Sequence, residues 1–290
     1  MRNSKGFALL LTLWVLAALS VLLLTFGMLT SSNVKASSYF KKDCAAYYLA
    51  RGGLKRVALK LIPDRTLGKD ADLSAIRGEL LGTWIVRPTD WSVTKADSSD
   101  LNEFVICEVS PEDAKLPLNR ATKEMLSKLP DVSPVLAENI VALVKTKKEA
   151  GGFKYVEELL SVDGVSGGVY DGEENKPGLK NLLTTYTDGK IYINNVRKEA
   201  ILSVPGVDEQ LANEITNNLK AGKYFERVED LQHVIGVTPA IYKSLKEWVK
   251  VTPAYYRIKS RANVEGIYRE VEGVVKISRE NVEIVFLQGG

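Results

Sequence analysis

KGFALLLTLWVLAALSVLLLTFGML, residues 5–29, is the stretch that decides the fold. Arg2 and Lys5 lie on its N-terminal side, the run from Phe7 to Leu29 carries no charge, and the next basic residue is Lys35. A helix crosses hydrocarbon with roughly 20 apolar residues, so residues 7–29 are read as one membrane-spanning helix. Basic residues stay on the cytoplasmic side of such a segment. Met1 is therefore expected inside, with everything beyond Leu29 on the other side in a single pass. The run exceeds the apolar core of roughly 7 to 15 residues in a cleaved secretory signal, whereas a plain signal anchor fits the length.

Helical periodicity continues past the membrane. Between Ser31 and Leu61, the residues Tyr39, Ala46, Leu49, Ala50, Leu54, Val57, Ala58 and Leu61 recur at helical spacing, with Lys41, Lys42, Arg51, Lys55, Arg56 and Lys60 between them. Gly52-Gly53 weakens the pattern locally, and Pro63-Asp64 ends it. One long rod with its lower part in lipid is the expected shape. Two helices joined near Ser31-Ser32-Asn33 is the other reading.

Beyond the rod lie β-branched and aromatic runs bounded by Pro, Asp and Ser: Gly82–Val86, Trp91–Val93 and Glu103–Val109. A second strand-rich block closes the chain at Tyr255–Ser260, Tyr268–Ile277 and Val282–Leu287. Short helices and turns fill the interval from Asn119 to Val251. The fold class is therefore α+β: a long N-terminal spanning and stem helix with an antiparallel sheet, interrupted by an all-α insertion. The expected divisions are 1–6, 7–29, 30–112, 113–252 for the insertion and 253–290 for the closing strands.

The insertion repeats itself, the first feature to seek in such a region. Leu118-Asn119, Lys123-Glu124, Leu129-Pro130 and Leu136-Ala137 answer Ile193-Asn194, Lys198-Glu199, Val204-Pro205 and Leu211-Ala212 at one constant offset. Phe153, Val156–Leu159 and Gly164-Val165 then answer Phe225, Val228–Leu231 and Gly236-Val237. Apolar positions at helical spacing dominate, so the repeat's first task is to build two similar helical cores, over residues 116–165 and 191–237.

These features resemble known families. Lys5-Gly6-Phe7, followed by Ala8, Leu9, Leu10 and Leu11, resembles a type IV prepilin signal, which implies cleavage between Gly6 and Phe7 by a prepilin peptidase. It also makes residues 1–6 a leader and residues 30–112 a pilin-like stem with first strands. Pilins and pseudopilins usually carry Glu at the fifth mature position, and Leu11 stands there instead. A carboxylate in the bilayer is costly without a partner charge, and a subunit with nothing ahead of it in a filament has no such partner. The repeats resemble helix-hairpin-helix motifs. Together with Glu112-Asp113-Ala114-Lys115-Leu116-Pro117-Leu118-Asn119, they resemble the type II secretion protein K family of large minor pseudopilins.

That resemblance implies a non-enzymatic subunit of the inner membrane with most of its chain in the periplasm. It would join other minor pseudopilins, of the protein I and J types, and the major pseudopilin at the tip of a pseudopilus. There it would initiate or cap assembly and support export. A minor pilin of a type IV pilus and a membrane-anchored periplasmic DNA receptor are the alternatives. The hairpin type that cradles a phosphate needs free backbone N–H groups and Gly. Pro205-Gly206-Val207-Asp208 keeps one Gly, Pro130-Asp131-Val132-Ser133 keeps none, and the carboxylates oppose an anion. Net charge is +3, from 39 Lys plus Arg against 36 Asp plus Glu, a small electrostatic drive toward nucleic acid.

Chemistry elsewhere is sparse. His233 has no partners at triad or zinc spacing, and Gly151-Gly152 and Gly167-Gly168 are read as turns. Cys44 and Cys107 lie where oxidising conditions permit a bridge; two buried thiols is the alternative. Asp163, Asp171, Glu173, Glu174 and Asn175 fall in a Gly-containing loop, read either as a solvated acidic loop or as a calcium site.

Overall fold

The computed structural model describes residues 4–61, 81–88, 92–95, 105–147, 151–278 and 281–289. Helix α1 spans Ser4–Lys60 without a break at Ser31-Ser32-Asn33, a rod about 85 Å long at 1.5 Å per residue. Its segment from Leu10 contains a window with mean hydropathy 2.3, long and apolar enough to cross a membrane. Phe7, Leu11, Trp14, Leu23 and Phe26 are all exposed there. Higher up, Ala46, Ala50, Leu54, Val57 and Leu61 are buried, while Tyr39 stays exposed. The buried set recurs every three or four residues, forming one stripe against the sheet.

The sheet has six antiparallel strands: β1 (Gly82–Val86), β2 (Val93–Lys95), β3 (Val105–Pro111), β4 (Tyr255–Val264), β5 (Ile267–Ile277) and β6 (Val282–Gly289). Their order is β6-β5-β4-β3-β1-β2. Val105, Cys107, Val109, Tyr256, Ile258, Val271 and Val275 pack with the α1 stripe in one core. The alternating burial of β3 follows from the strand period of two, with one face toward α1 and one toward solvent. The second strand falls at Val93–Lys95, later than the sequence pattern placed it. Trp91, Glu103, Phe104 and Pro63-Asp64 lie outside the described residues.

Gly53 explains the doubled glycine in the rod. A Cβ there would lie 2.5 Å from Val105 Cγ1 and 3.1 Å from Ser260 Oγ, so the missing side chain lets helix and sheet approach. Ser260 Oγ donates to the Ala50 carbonyl at 2.7 Å in the same contact.

Between β3 and β4 the chain leaves to build the helical insertion, and the two strands are hydrogen-bonded neighbours with Tyr256 opposite Pro111. Exit and return are thus side by side. The β4–β5 turn is held to the lower stem by Lys42–Glu265 at 2.7 Å and by Arg269 Nε and Nη2 on the Asp43 carboxylate at 2.6 and 2.9 Å. Ser260 meets Ala50, so the start of β4 reaches the upper end of α1. The insertion therefore springs from the end of the sheet farthest from the apolar half of the rod.

A separate apolar core fills the insertion, and its repeat extends beyond sequence matching. Leu116-Pro117 pairs in parallel with Leu183-Thr184, and Ile191-Tyr192 pairs in parallel with Val249-Lys250. Asn119 exchanges two hydrogen bonds with Phe153, at 2.8 and 2.9 Å. Asn194 does the same with Phe225, at 2.9 Å each. Lys115 Nζ donates to the Lys180 carbonyl at 3.2 Å, and Lys190 Nζ to the Lys246 carbonyl at 3.0 Å. Gly167-Gly168, read as a turn, instead opens a short helix, Gly167–Asp171, because Ser166 caps it by accepting from Val169 N.

Candidate functional site at the joint between sheet and insertion

Residues 112–115 connect β3 to the insertion. They open the stretch that carries the protein K resemblance, and two adjacent acids in a connecting segment are usually solvated, yet Glu112 is 1% exposed and Asp113 0%. Their burial requires partners. Arg257, on β4, grips Glu112 through Nε to Oε2 at 2.6 Å and Nη2 to Oε1 at 2.9 Å. Lys115 Nζ adds a contact at 3.0 Å, and Thr184 Oγ1, at the close of the first repeat, donates to Oε1 at 2.9 Å. Arg257 also pairs with Glu272 on β5.

Asp113 Oδ2 accepts from the backbone N–H of Ala254 at 2.7 Å and of Tyr255 at 3.2 Å. Lys250 Nζ lies 2.7 Å from the same oxygen and 2.8 Å from Asp188 Oδ1. The outgoing and returning segments are thus tied by adjacent acidic side chains, one to the sheet and one to the second repeat.

Burial would raise the Glu112 pKa, but the Arg257 hydrogen bonds and the Lys115 charge outweigh it and hold the carboxyl below its ordinary value. For Asp113 burial wins over Lys250 and the backbone donors, so its pKa is raised. Asp113 Oδ1 has no hydrogen-bond partner, which fits that direction. Arg257 is pushed above its usual value: burial alone would lower it, and Glu112 and Glu272 more than compensate.

The hairpin turns form a second feature. Asp131, Gly164, Gly206 and Gly236 all have positive φ, from 58° to 93°. Each precedes Val and then a capping residue: Ser133, Ser166, Asp208 or Thr238. Asp131 adopts a conformation that glycine favours. Two turns are engaged within the molecule. Lys128 Nζ donates to the carbonyls of Leu202, Val204 and Val207 at 3.0, 3.4 and 3.2 Å, and Lys176 pairs with Asp131 at 3.0 Å.

The residues singled out from sequence are distributed differently. The Gly6–Phe7 peptide falls inside α1, Phe7 is 71% exposed, and Leu11 belongs to the same exposed apolar surface. Cys44 and Cys107 form no bridge: both are free thiols. Buried Cys107 donates to Ser260 Oγ at 3.2 Å, and burial pushes its pKa up to about 11. The acidic loop does not gather into a calcium cage. Lys180 binds Asp171 at 2.7 Å, Glu173 sits in a two-residue ladder opposite Lys176, Glu174 is in the turn between, and Asp163 lies beside Gly164 with its carbonyl on Asn139. Among the described residues no group of three or more His, Cys, Asp or Glu side chains is placed to hold a metal. His233 is exposed at the end of a 3-10 helix.

Comparison with known proteins matches this geometry to two kinds of relative. A helix-hairpin-helix motif model matches residues 112–172 and 187–250. The crystal structure of the GspK-GspI-GspJ complex from the enterotoxigenic Escherichia coli type 2 secretion system contains a chain with a TM-score of 0.55. The match covers 90% of this chain and 99% of that one, at 16% identity. This chain shares that fold. Endonuclease/exonuclease/phosphatase family domain-containing protein 1 of Danio rerio is 27% identical over 173 residues, which are 55% of this chain and 30% of that protein. Its Xenopus laevis counterpart is 23% identical over 154 residues, 47% of this chain and 27% of that protein. The chain spans less than a third of these curated relatives.

Proposed function

We propose that this chain is a minor pseudopilin of the protein K kind at the tip of a type II secretion pseudopilus. It is a non-enzymatic subunit that initiates or caps the filament and supports export across the outer membrane. One observation carries the reading: the insertion departs and returns at the end of the sheet farthest from the apolar rod. A body mounted there obstructs any subunit stacking from above. The fold shared with a chain of the GspK-GspI-GspJ complex supports the reading over nearly the whole chain.

On this reading α1 anchors the chain in the inner membrane in a single pass, with the remainder in the periplasm. A prepilin peptidase cuts between Gly6 and Phe7, and Leu11 dispenses with an acid that would have no partner at the tip. The partners are minor pseudopilins of the I and J types and the major pseudopilin. N-terminal analysis of the mature chain tests this: it begins at Phe7, whereas a retained Met1 means an unprocessed signal anchor and contradicts the assignment.

The helix-hairpin-helix match favours a second reading, a periplasmic DNA receptor. Lys128 and Lys176 are directed at hairpin atoms of the same chain, which removes cations a phosphate would need. A salt-dependent shift of duplex DNA supports that receptor, and its absence supports the filament subunit.

A further inference from the structure

We propose that the seam between the insertion and the outer face of the sheet is a docking cleft for an extended, acidic segment of a partner polypeptide. Cavities of about 230 and 220 Å³ lie along this seam, and Lys115, Asn181, Arg257 and Lys259 line both. The two cavities thus adjoin along the seam. One end is closed by Tyr170, Tyr186 and Phe286; the other reaches Asn195, Arg197 and Ala200 of the second repeat. Both repeats and the sheet contribute walls, so an occupant would touch every part of the periplasmic body.

Charge decides what fits. Glu112 and Glu272 are taken by Arg257, Lys115 is held on Glu112, and the Tyr170 hydroxyl hydrogen-bonds Glu157. Lys180 pairs with Asp171. Lys259 and Arg197 are different: both are exposed, and among the described residues neither makes an ion pair, although Glu108 and Glu272 stand opposite Lys259 across the sheet. Among the described residues, two cations without an ion pair thus line the cleft at separate points against one such carboxylate, Glu157, an excess of positive charge that suits a chain bearing spaced carboxylates rather than one small anion.

The aromatic end adds an apolar wall. Tyr186 packs on Phe286 with ring centroids 5.7 Å apart, and its buried hydroxyl has no hydrogen-bond partner. The β5–β6 pairing shifts register between Val274 and Val275. Such bulges re-aim side chains, and here Phe286 lies opposite Val274 and reaches both Tyr155 and Tyr186. An aromatic side chain of the partner would seat at this end while its carboxylates meet Lys259 and Arg197.

This inference deepens the pseudopilin reading by naming a surface for a partner, and it is tested apart from filament position. The full chain in detergent micelles is titrated against a fluorescein-labelled peptide alternating Glu with Val and Phe, followed by anisotropy. The same peptide with Lys for Glu is the control. Binding is expected for the acidic peptide only and weakens with salt. Combining Lys259→Glu with Arg197→Glu lowers affinity about tenfold or more, Phe286→Ala lowers it by a smaller factor, and Lys55→Glu on the stem leaves it unchanged. Affinity unaltered by the double charge reversal, or equal binding of the Lys peptide, overturns the cleft while leaving the filament assignment standing.

Discussion

Glu112 and Arg257 are separated in sequence by the whole insertion, yet they meet in a bidentate ion pair at 2.6 and 2.9 Å. The pair joins the segment leaving the sheet to the strand that receives the chain back. It therefore acts as a rivet between two bodies with separate cores. Removing Arg257 leaves buried Glu112 to Lys115 and Thr184, so the loss falls toward the low end of the about 3–5 kcal/mol that breaking a buried pair costs. Arg257→Met is expected to lower the unfolding free energy by that order in denaturant titration. It should also speed hydrogen exchange at residues 112–115.

The two joint carboxyls titrate in opposite senses. Glu112 has a folded pKa below its unfolded value, so it contributes stability above about pH 4.5, lost as pH falls through the lower folded value. Asp113 has a raised folded pKa, so its ionised form is a burden above that pKa, relieved on acidification. Glu112→Gln is expected to destabilise at neutral pH and to flatten the acid limb of the stability curve. Asp113→Asn is expected to cost less at neutral pH, since Lys250 keeps Asp188 at 2.8 Å. Denaturation midpoints between pH 3 and pH 7, roughly the span over which these carboxyls titrate, check both signs.

Asn194 clamps Phe225 by two backbone hydrogen bonds in a buried setting, while Asn119 clamps Phe153 in a half-buried one. An orphaned buried backbone group costs about 1–3 kcal/mol. Asn194→Ala should therefore lower stability by about 2 kcal/mol or more, and Asn119→Ala by less, because Asn119 is itself only half-buried while Asn194 is buried. Calorimetry on the two variants gives the ranking.

At Gly53, Ala would gain up to about 1 kcal/mol of helix propensity but press its Cβ on Val105 Cγ1. Overpacking of this kind costs about 1–3 kcal/mol. Net loss is expected for Gly53→Ala and a larger one for Gly53→Val, read by thermal melting.

Much of this architecture could be read from residue patterns. The uncharged run to Leu29, the stripe from Ala46 to Leu61 and the offset linking Asn119 to Asn194 have periods that local chemistry imposes. The joint was not legible. Glu112 and Asp113 look like solvated turn residues because their partners, Arg257 and Lys250, are remote in sequence and only the β3–β4 pairing brings them together. The closing ladders at Leu183-Thr184 and Val249-Lys250 are too short to carry a strand signal. A clue lay in Lys115 and Lys190, which share the repeat offset and make the same kind of backbone contact.

Cys44 and Cys107 offer a chemical check of the same packing. In native, unreduced protein, Cys44 is expected to be alkylated and Cys107 to resist until unfolding, because it is buried and its pKa is pushed up to about 11. Mass analysis before and after denaturant reads one adduct and then a second. Two protected sulfurs released only by reductant would mean a bridge.

Pseudopili elongated by excess major pseudopilin and gold-labelled on an epitope in the insertion test the central claim most directly. The insertion sits at the end of the stem farthest from its apolar half, so on the proposed reading label is expected at filament ends alone. Label spaced along the shaft would contradict it.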